Sequence, residues 1–307
     1  MAALGRQGDL MKLASTPLRT EFKNVLVASD LSPDSKAALA WAQRIARRYG
    51  SKLVITHVIS PAETALVPPE YWGSSMQMID EAAKAQLDQV NASFKDVRHE
   101  VRLEHGRLPE IISAEIEELH IDLLVLGTHG REGAGRLAMG SAAEELLRRV
   151  HCPVLTVGPN VSFPASEKVE VKGILLATNL GQDSLAAATY AISLAEEFQA
   201  RLTLLNVMND EDFDPPVDPQ VAMKNRMERL RKIASADGAL TCKPDCLVEF
   251  GNGAEQILRV AHERSADLIV LGAKPATGHI VAATHVSAAT VHSVIARATC
   301  PVMTACS

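Results

Sequence analysis

The segment GTHGREGAGRLAMGSAAEELL, from Gly127 to Leu147, concentrates residue types that can hold a phosphate group. It contains five of the chain's 18 glycines, and glycine lets the backbone turn sharply and approach a ligand closely. Ser141 follows the last of these glycines and opens a helical pattern, whose free N–H groups and dipole favour an anion. Arg131 and Arg136 add positive charge. Together these features indicate a phosphate site.

The same residues also allow a purely structural interpretation, in which the glycines only let a strand turn into a helix. Ser141 and Glu144 match a capping box, which stabilises a helix start by about 1 kcal/mol without a ligand. The Walker pattern GxxxxGK[ST] is missing. Gly133 to Ala138 matches GxGxxA by composition alone, because it lies away from the tight first turn of a dinucleotide fold. On the residues themselves, both interpretations stay open.

The elements that must position this loop occur twice in the chain. KNVLVASDLSPDSKAAL, which starts at Lys23, returns as KGILLATNLGQDSLAAA from Lys172. KLVITHVI, DLLVLG and HCPVLTV return in the same order as RLTLLNVM, DLIVLG and TCPVMTA. Such a long period indicates a duplicated domain rather than a solenoid. We therefore predict an N-terminal arm (1–22), a first domain (23–158), a linker (159–171) and a second domain (172–307).

Within each copy, short β-branched runs alternate with helical patterns. In the first copy we predict strands at about 25–29, 53–59, 99–103, 123–127 and 154–157, and helices at about 33–49, 81–94, 109–119 and 142–150. Strands separated by helices form right-handed parallel units. The predicted fold class is α/β, with two tandem doubly wound five-stranded parallel sheets. The glycine loop follows the fourth strand and so emerges at the carboxyl edge, where such sheets bind ligands.

Composition and charge limit the partners that the chain can have. The 307 residues carry a formal net charge of -6, which argues against a nucleic-acid partner reached by bulk electrostatics. The apolar runs are too short to span a bilayer, so no membrane association is expected. The first residues lack the apolar stretch of a signal peptide, and the five cysteines suggest no disulfide framework. We expect a cytoplasmic protein.

Gly127, Gly130, Gly140 and Ser141 form the pattern G-x2-G-x9-G-[ST], which resembles the signature of nucleotide-binding universal stress proteins. The stretch VLVASDLSPDS resembles that family's first strand and loop, with Asp30 at its acidic position. The resemblance extends over both copies. It implies the adenine nucleotide alpha hydrolase-like fold and binding of ATP, or of another adenine nucleotide, in the first copy, with or without Mg²⁺.

The resemblance also implies roles for individual residues. Asp30 and the backbone of Val58 would contact adenine, and Gly127 would lie against the ribose. The phosphates would be held by Gly130, Gly140, Ser141 and the backbone of Ala142, with Arg131 adding charge nearby. The pocket walls would be Ala28, Ser29 and Leu126. In this family domains pair through their fifth strands, so PVLTV and PVMTA are expected to pair within one chain as a pseudo-dimer; a homodimer of chains stays open.

The second copy departs from this pattern. Asn179 replaces the acid, and Pro275 and Ala289 stand where the first copy has Gly130 and Ser141. We therefore expect weak or no ATP binding there. His279, His285 and His292 fall in this segment, and we interpret them as surface or helix-start residues rather than metal ligands, because they lack carboxylate or cysteine partners at ligand spacing.

Three functions fit these features. The first is a nucleotide-binding module of a stress response, with ATP in the first copy. The second is a slow ATPase or nucleotide-dependent enzyme, which the absence of lysine from the glycine loop disfavours. The third is a ligand-free interaction scaffold. Residues 61–78, with Tyr71 and Trp72, are either a lid over the adenine or a loop that packs on the partner domain, and we favour packing.

Overall fold

The computed structural model describes residues 20–32, 35–61, 71–128, 139–161, 170–181, 184–209, 218–235, 243–272 and 288–305. The elements of the first half are β1 (Asn24–Ala28), α1 (Lys36–Tyr49), β2 (Lys52–Ile59), α2 (Trp72–Ser93), β3 (His99–His105), α3 (Leu108–Glu118), β4 (Leu123–Gly127), α4 (Ser141–Arg149) and β5 (Val154–Val157). Those of the second half are β6 (Gly173–Ala177), α5 (Ser184–Phe198), β7 (Arg201–Met208), α6 (Pro219–Ser235), β8 (Asp245–Phe250), α7 (Gly253–Glu263), β9 (Leu268–Gly272), α8 (Ala288–Arg297) and β10 (Val302–Ala305).

The strands form one ten-stranded sheet in the order β3-β2-β1-β4-β5-β10-β9-β6-β7-β8. All neighbours are parallel except β5 and β10, which run antiparallel and join the two halves. In each half the winding direction reverses once, between β1 and β4 and between β6 and β9. The predicted fold class, α/β with two tandem doubly wound domains, is confirmed.

The core lies on both faces of the sheet, because its strands are apolar at nearly every position. Alternate residues of β1 enter opposite clusters: Val25 and Val27 pack on the side of α1, and Leu26 and Ala28 pack on the side of α3 and α4. A strand covered on both faces needs such continuous apolar runs. Among the helices in the described part of the chain, none is long and apolar enough to cross a membrane.

The same carboxylate clamp closes the amino edge of the sheet in both halves. Asp122 Oδ2, just before β4, accepts hydrogen bonds from the N–H groups of the two residues at the entrance of β1, at 2.8 Å each. Asp267 does the same at the entrance of β6, at 2.7 and 3.0 Å. The starts of β1 and β6 are therefore held in place, and the same strands end at the opposite, carboxyl edge of the sheet.

The segment before the predicted second helix differs from our expectation. Helix α2 begins at Trp72 rather than near residue 81, so the glycine and serines of WGSSMQMID lie inside the helix. The side chains of Tyr71 and Met78 are 58% and 69% exposed. Packing against the partner domain is therefore wrong for these residues, and residues 62–70 lie outside the described part.

Candidate functional site

The first half has a crevice at the point where its winding direction reverses. β1 and β4 are neighbours, and their aligned ends are Ala28 and Leu126. The next strands on either side are β2 and β5, so the connections leaving β1 and β4 run in opposite directions. This is the position at which doubly wound sheets bind ligands, and Asp30 and Gly127 both lie there.

The turn after β1 holds the Asp30 carboxylate in a fixed place. Asp30 Oδ1 accepts the N–H of Ser32 at 3.0 Å, and the Ser29 hydroxyl accepts the N–H of Leu31 at 3.1 Å. Leu31 adopts a φ of 61°, which a leucine tolerates only where its surroundings impose it. Asp30 Oδ2 is buried, and no donor from the described residues reaches it. A buried carboxylate oxygen without a donor is costly and suits a ligand N–H or O–H.

The main chain of Val58 faces the same crevice. Ser29 N–H donates to Thr56 C=O at 3.0 Å, so the polar groups of Thr56 point towards β1. The C=O of Ile59 points the other way, beyond β3, where it accepts the N–H of Gly106 at 3.1 Å. Because main-chain groups alternate along a strand, the N–H and C=O of Val58 point to the side of β1, past the residue where β1 ends.

The glycine loop returns to its own starting point. The N–H of Gly140 donates to the C=O of Thr128 at 3.1 Å, so the start of α4 lies beside the end of β4. Gly130 and Arg131 belong to residues 129–138, outside the described part. A Cβ built on Gly127 would meet nothing within 4 Å, so the described residues leave space open at the end of β4.

The start of α4 offers three main-chain donors to this space. Gly140, not Ser141, is the N-cap residue, and no side chain caps the helix. The capping box of the structural interpretation is not formed, because Ser141 is already the first helical residue and Glu144 pairs with Arg148 at 3.1 Å. The first intrahelical bond is from Glu144 N–H to Gly140 C=O. The N–H groups of Ser141, Ala142 and the next residue have no acceptor among the described residues.

The three predicted wall residues are buried at the strand ends that border the crevice. Ala28 and Leu126 are 8% and 3% exposed and belong to the core on the side of α3 and α4. Ser29 is 5% exposed, and its hydroxyl also shares a hydrogen bond with that of Ser35 at 2.9 Å. These residues therefore support the turn and the strand ends that carry Asp30 and Gly127.

Sequence reasoning missed a buried polar network behind β2. The Thr56 hydroxyl donates to Glu115 Oε2 at 2.7 Å, and Arg102 Nη1 lies 3.4 Å from Glu115 Oε1. Glu115 is 4% exposed. Burial raises the pKa of its carboxyl, against the opposing effects of Thr56 and Arg102. Thr56 is both the anchor of this network and the residue whose C=O holds Ser29, so the network supports the crevice from below.

The repeat contains the signal that could have revealed this network. Thr56 and Arg102 are register partners on β2 and β3, and their counterparts on β7 and β8 are Leu205 and Leu247, also register partners. The counterpart of Glu115 on α7 is Val260, which is 1% exposed. The second half therefore fills the same position with hydrocarbon, and a comparison of the two copies singles out the polar positions.

The turn after β6 repeats the turn after β1 but leaves its side chain no such oxygen. Asn179 Oδ1 accepts the N–H of Gly181 at 2.8 Å and the hydroxyl of Ser184 at 2.6 Å. Leu180 has a φ of 64°, close to that of its counterpart. Ala289 lies in the first turn of α8, and Pro275 lies outside the described residues. The second half thus keeps the turn, but the Asn179 side-chain oxygen is already hydrogen-bonded within it.

The histidine segment of the second half is described only at its end. His292 lies on α8, and His279 and His285 belong to residues 273–287, which the structure does not describe. Within the described ranges, no group of three or more His, Cys, Asp or Glu residues is placed to hold a metal ion.

The fold and the crevice define a tandem doubly wound α/β protein of the kind that binds ligands at its carboxyl edge. The family model for the universal stress protein family matches residues 21–158 and again 170–305, and the chain belongs to that family. A universal stress protein of Thermus aquaticus is 32% identical over 137 residues, which are 44% of this chain and 98% of that protein.

Two solved structures illustrate the range of the likeness. A universal stress protein from Archaeoglobus fulgidus DSM 4304 is 18% identical, with a TM-score of 0.68, and the match covers 93% of this chain and 96% of that one. It supports the tandem fold. A universal stress protein in complex with cAMP is 27% identical over 46% of this chain and 99% of its own, with a TM-score of 0.35. That score is too low to bear on the geometry of this site.

Proposed function

We propose that the first half binds an adenine nucleotide, ATP in particular, with or without Mg²⁺, and that the chain is a nucleotide-binding module of a stress response. The second half is then a partner without nucleotide, joined through β5 and β10 as in a pseudo-dimer. The observation that carries this proposal is the buried Asp30 Oδ2, for which the described residues supply no donor.

Adenine and its phosphates fit the groups around this crevice. The Asp30 carboxylate can accept from an adenine amino group or a ribose hydroxyl, and the Val58 main chain presents a donor and an acceptor to the edge of a base. The N–H groups at the start of α4 suit phosphate oxygens. A bound ATP would also supply the oxygens that a Mg²⁺ ion prefers.

The test is calorimetric titration of ATP with Mg²⁺ into protein whose co-purified nucleotide has been removed and quantified. We expect one site per chain. Titration of AMP and cAMP in the same way should give weaker binding, because they offer fewer phosphate oxygens to the helix start. Two sites per chain would contradict a silent second half. No binding, together with no released nucleotide, would refute the proposal and favour the scaffold.

Asp30→Asn gives the sharpest variant, because the asparagine keeps the turn acceptor, as Asn179 does in the second half, and presents an amide in place of the free carboxylate oxygen. Losing a hydrogen bond to a charged acceptor costs about 1.5–3 kcal/mol, so we expect affinity to fall at least about tenfold. Asn179→Asp is the matched control and should leave affinity unchanged. Asp30→Ala and Gly140→Trp should also weaken binding while the protein stays folded.

A further inference from the structure

The two halves meet across a pseudo-two-fold axis that passes through the centre of the sheet. β5 and β10 are antiparallel, and Leu155 lies opposite Met303. These two residues are counterparts in the repeat, each at the fifth position of its block, HCPVLTV or TCPVMTA. An interface in which a residue meets its own counterpart has the geometry of a symmetric dimer. Two copies of either half would therefore place identical residues against each other there.

The last turns of α1 and α5 meet at the same axis, but their residues are complementary rather than identical. Arg48 has Glu197 as its repeat counterpart, and Tyr49 has Phe198. Arg48 Nη2 lies 3.5 Å from Glu197 Oε1 and donates to the Glu197 C=O at 3.3 Å. The Tyr49 hydroxyl donates to Glu197 Oε2 at 2.9 Å, and the Arg48 guanidinium lies 5.4 Å from the centre of the Phe198 ring.

This complementarity would be lost in a pair of like halves. Two first halves would bring Arg48 against Arg48 and leave both Tyr49 hydroxyls without the carboxylate. Two second halves would bring Glu197 against Glu197, and the Glu197 side chain is only 7% exposed. Phe198 has no hydroxyl to donate to it. Two buried Glu197 carboxylates without partners would strongly disfavour a pair of second halves. Two facing Arg48 side chains, each 44% exposed in the present pair, would disfavour a pair of first halves less strongly.

The residues before β1 add a contact that a pair of first halves cannot make. The N–H of Thr20 donates to the Ser193 hydroxyl at 2.7 Å. The repeat counterpart of Ser193 is Arg44, which offers no acceptor. Phe22 is 3% exposed and lies 5.0 Å from the ring of Tyr49, on its own half, and 6.5 Å from that of Tyr190, on the other half.

We infer that the surface formed by β5, β10 and the ends of α1 and α5 is selective for its occupant. The first half binds the second half and rejects another copy of itself, and the second half does likewise. The β5 and β10 edges are therefore closed to homotypic pairing between chains. A homodimer of chains whose own two halves stay paired must use a different surface.

The experiment keeps the full-length protein and cuts it after folding. A protease recognition sequence is placed within residues 162–169, the folded chain is cleaved, and native mass spectrometry follows the fragments during long incubation. We expect complexes of one first half with one second half. Pairs of first halves or pairs of second halves at the abundance expected from random mixing would overturn the inference, as would complete separation into single halves.

Charge reversal tests the residues that we hold responsible. R48E and E197R each place like charges across the axis, so each should raise the fraction of homotypic pairs at least tenfold, and R48E/E197R should restore the unlike pair. R47E is the matched control on the same helix, because Arg47 pairs with Asp96 of its own half; its pairing should equal that of the parent.

A second measurement covers variants that do not survive cleavage. Urea unfolding of the uncut chains should show R48E/E197R to be more stable than either single variant. If the double variant were no more stable than the singles, and no more selective, Arg48 and Glu197 would not determine the pairing.

Discussion

The buried network of the first half gives a prediction that the repeat itself makes quantitative. In Arg102→Leu, Glu115 loses the guanidinium that lies 3.4 Å from its Oε1 but stays buried. Removing one partner of a buried pair costs about 3–5 kcal/mol. The carboxyl can escape this cost by protonation. From an ordinary pKa of 4.5, that costs about 3.4 kcal/mol at pH 7, at about 1.36 kcal/mol per pH unit.

The cost of protonating Glu115 therefore sets an upper limit on the destabilisation. We expect Arg102→Leu to lower the free energy of unfolding by about 2–3 kcal/mol at pH 7. The pKa of Glu115 is already raised in the folded protein, and the variant raises it further. A raised pKa contributes stability below the unfolded pKa and loses it as the pH rises. The deficit should thus shrink to under about 1 kcal/mol near pH 5.

Replacing the whole network as the second half does should behave differently. T56L/R102L/E115V installs the leucines and valine found at the equivalent positions, and it leaves neither a buried charge nor an unpaired hydroxyl. We expect it to unfold within about 1 kcal/mol of the parent, since apolar groups replace buried ion pairs at little cost.

The assay is urea unfolding at several pH values from 5 to 8, with R102L/E115Q as the matched control, because it removes both charges but keeps a polar side chain. The control should recover most of the stability that R102L loses at pH 7. A single Arg102→Leu variant as stable as the triple variant at pH 7 would refute the reasoning. A deficit that grew towards pH 5 would refute it equally.

Three further predictions follow from single contacts. Gly158→Ala should lower the unfolding temperature by several degrees, because a Cβ there would lie 2.6 Å from the main-chain oxygen of Ile295, and thermal unfolding measures this directly. Asp122→Ala should lower the free energy of unfolding by about 2 kcal/mol, because two main-chain N–H groups lose the carboxylate that accepts their hydrogen bonds. Asp267→Ala should have a similar effect in urea unfolding, and a neutral result for both variants would contradict the role of this clamp. Glu115→Gln should flatten the fall in stability between pH 5 and pH 8 that its raised pKa predicts, and an unchanged slope would show that Glu115 does not cause it.

The sequence by itself determined the fold class, the duplication and the edge of the sheet at which the candidate site lies. Apolar runs that alternate with helical patterns fix parallel strands, and Asp30 and Gly127 directly follow two such runs, so both had to lie at the carboxyl edge. These features follow from local periodicity, which can be read directly from the sequence. The strands at 123–127 and 154–157 are where we expected them.

Tertiary structure alone decided which groups are free and which are occupied. The sequence pattern allowed Ser141 to be the N-cap of α4. The N-cap is Gly140 instead, whose N–H donates to the C=O of Thr128 where the loop returns to the end of β4. Asp30 and Asn179 start the same kind of turn. The Asn179 oxygen accepts two hydrogen bonds within its turn, whereas Asp30 Oδ2 is buried without a donor from the described residues. The Glu115 network and the ion pair of Arg48 with Glu197 join residues that are far apart in the chain. Contacts of this kind depend on tertiary packing and cannot be read from the spacing of residues.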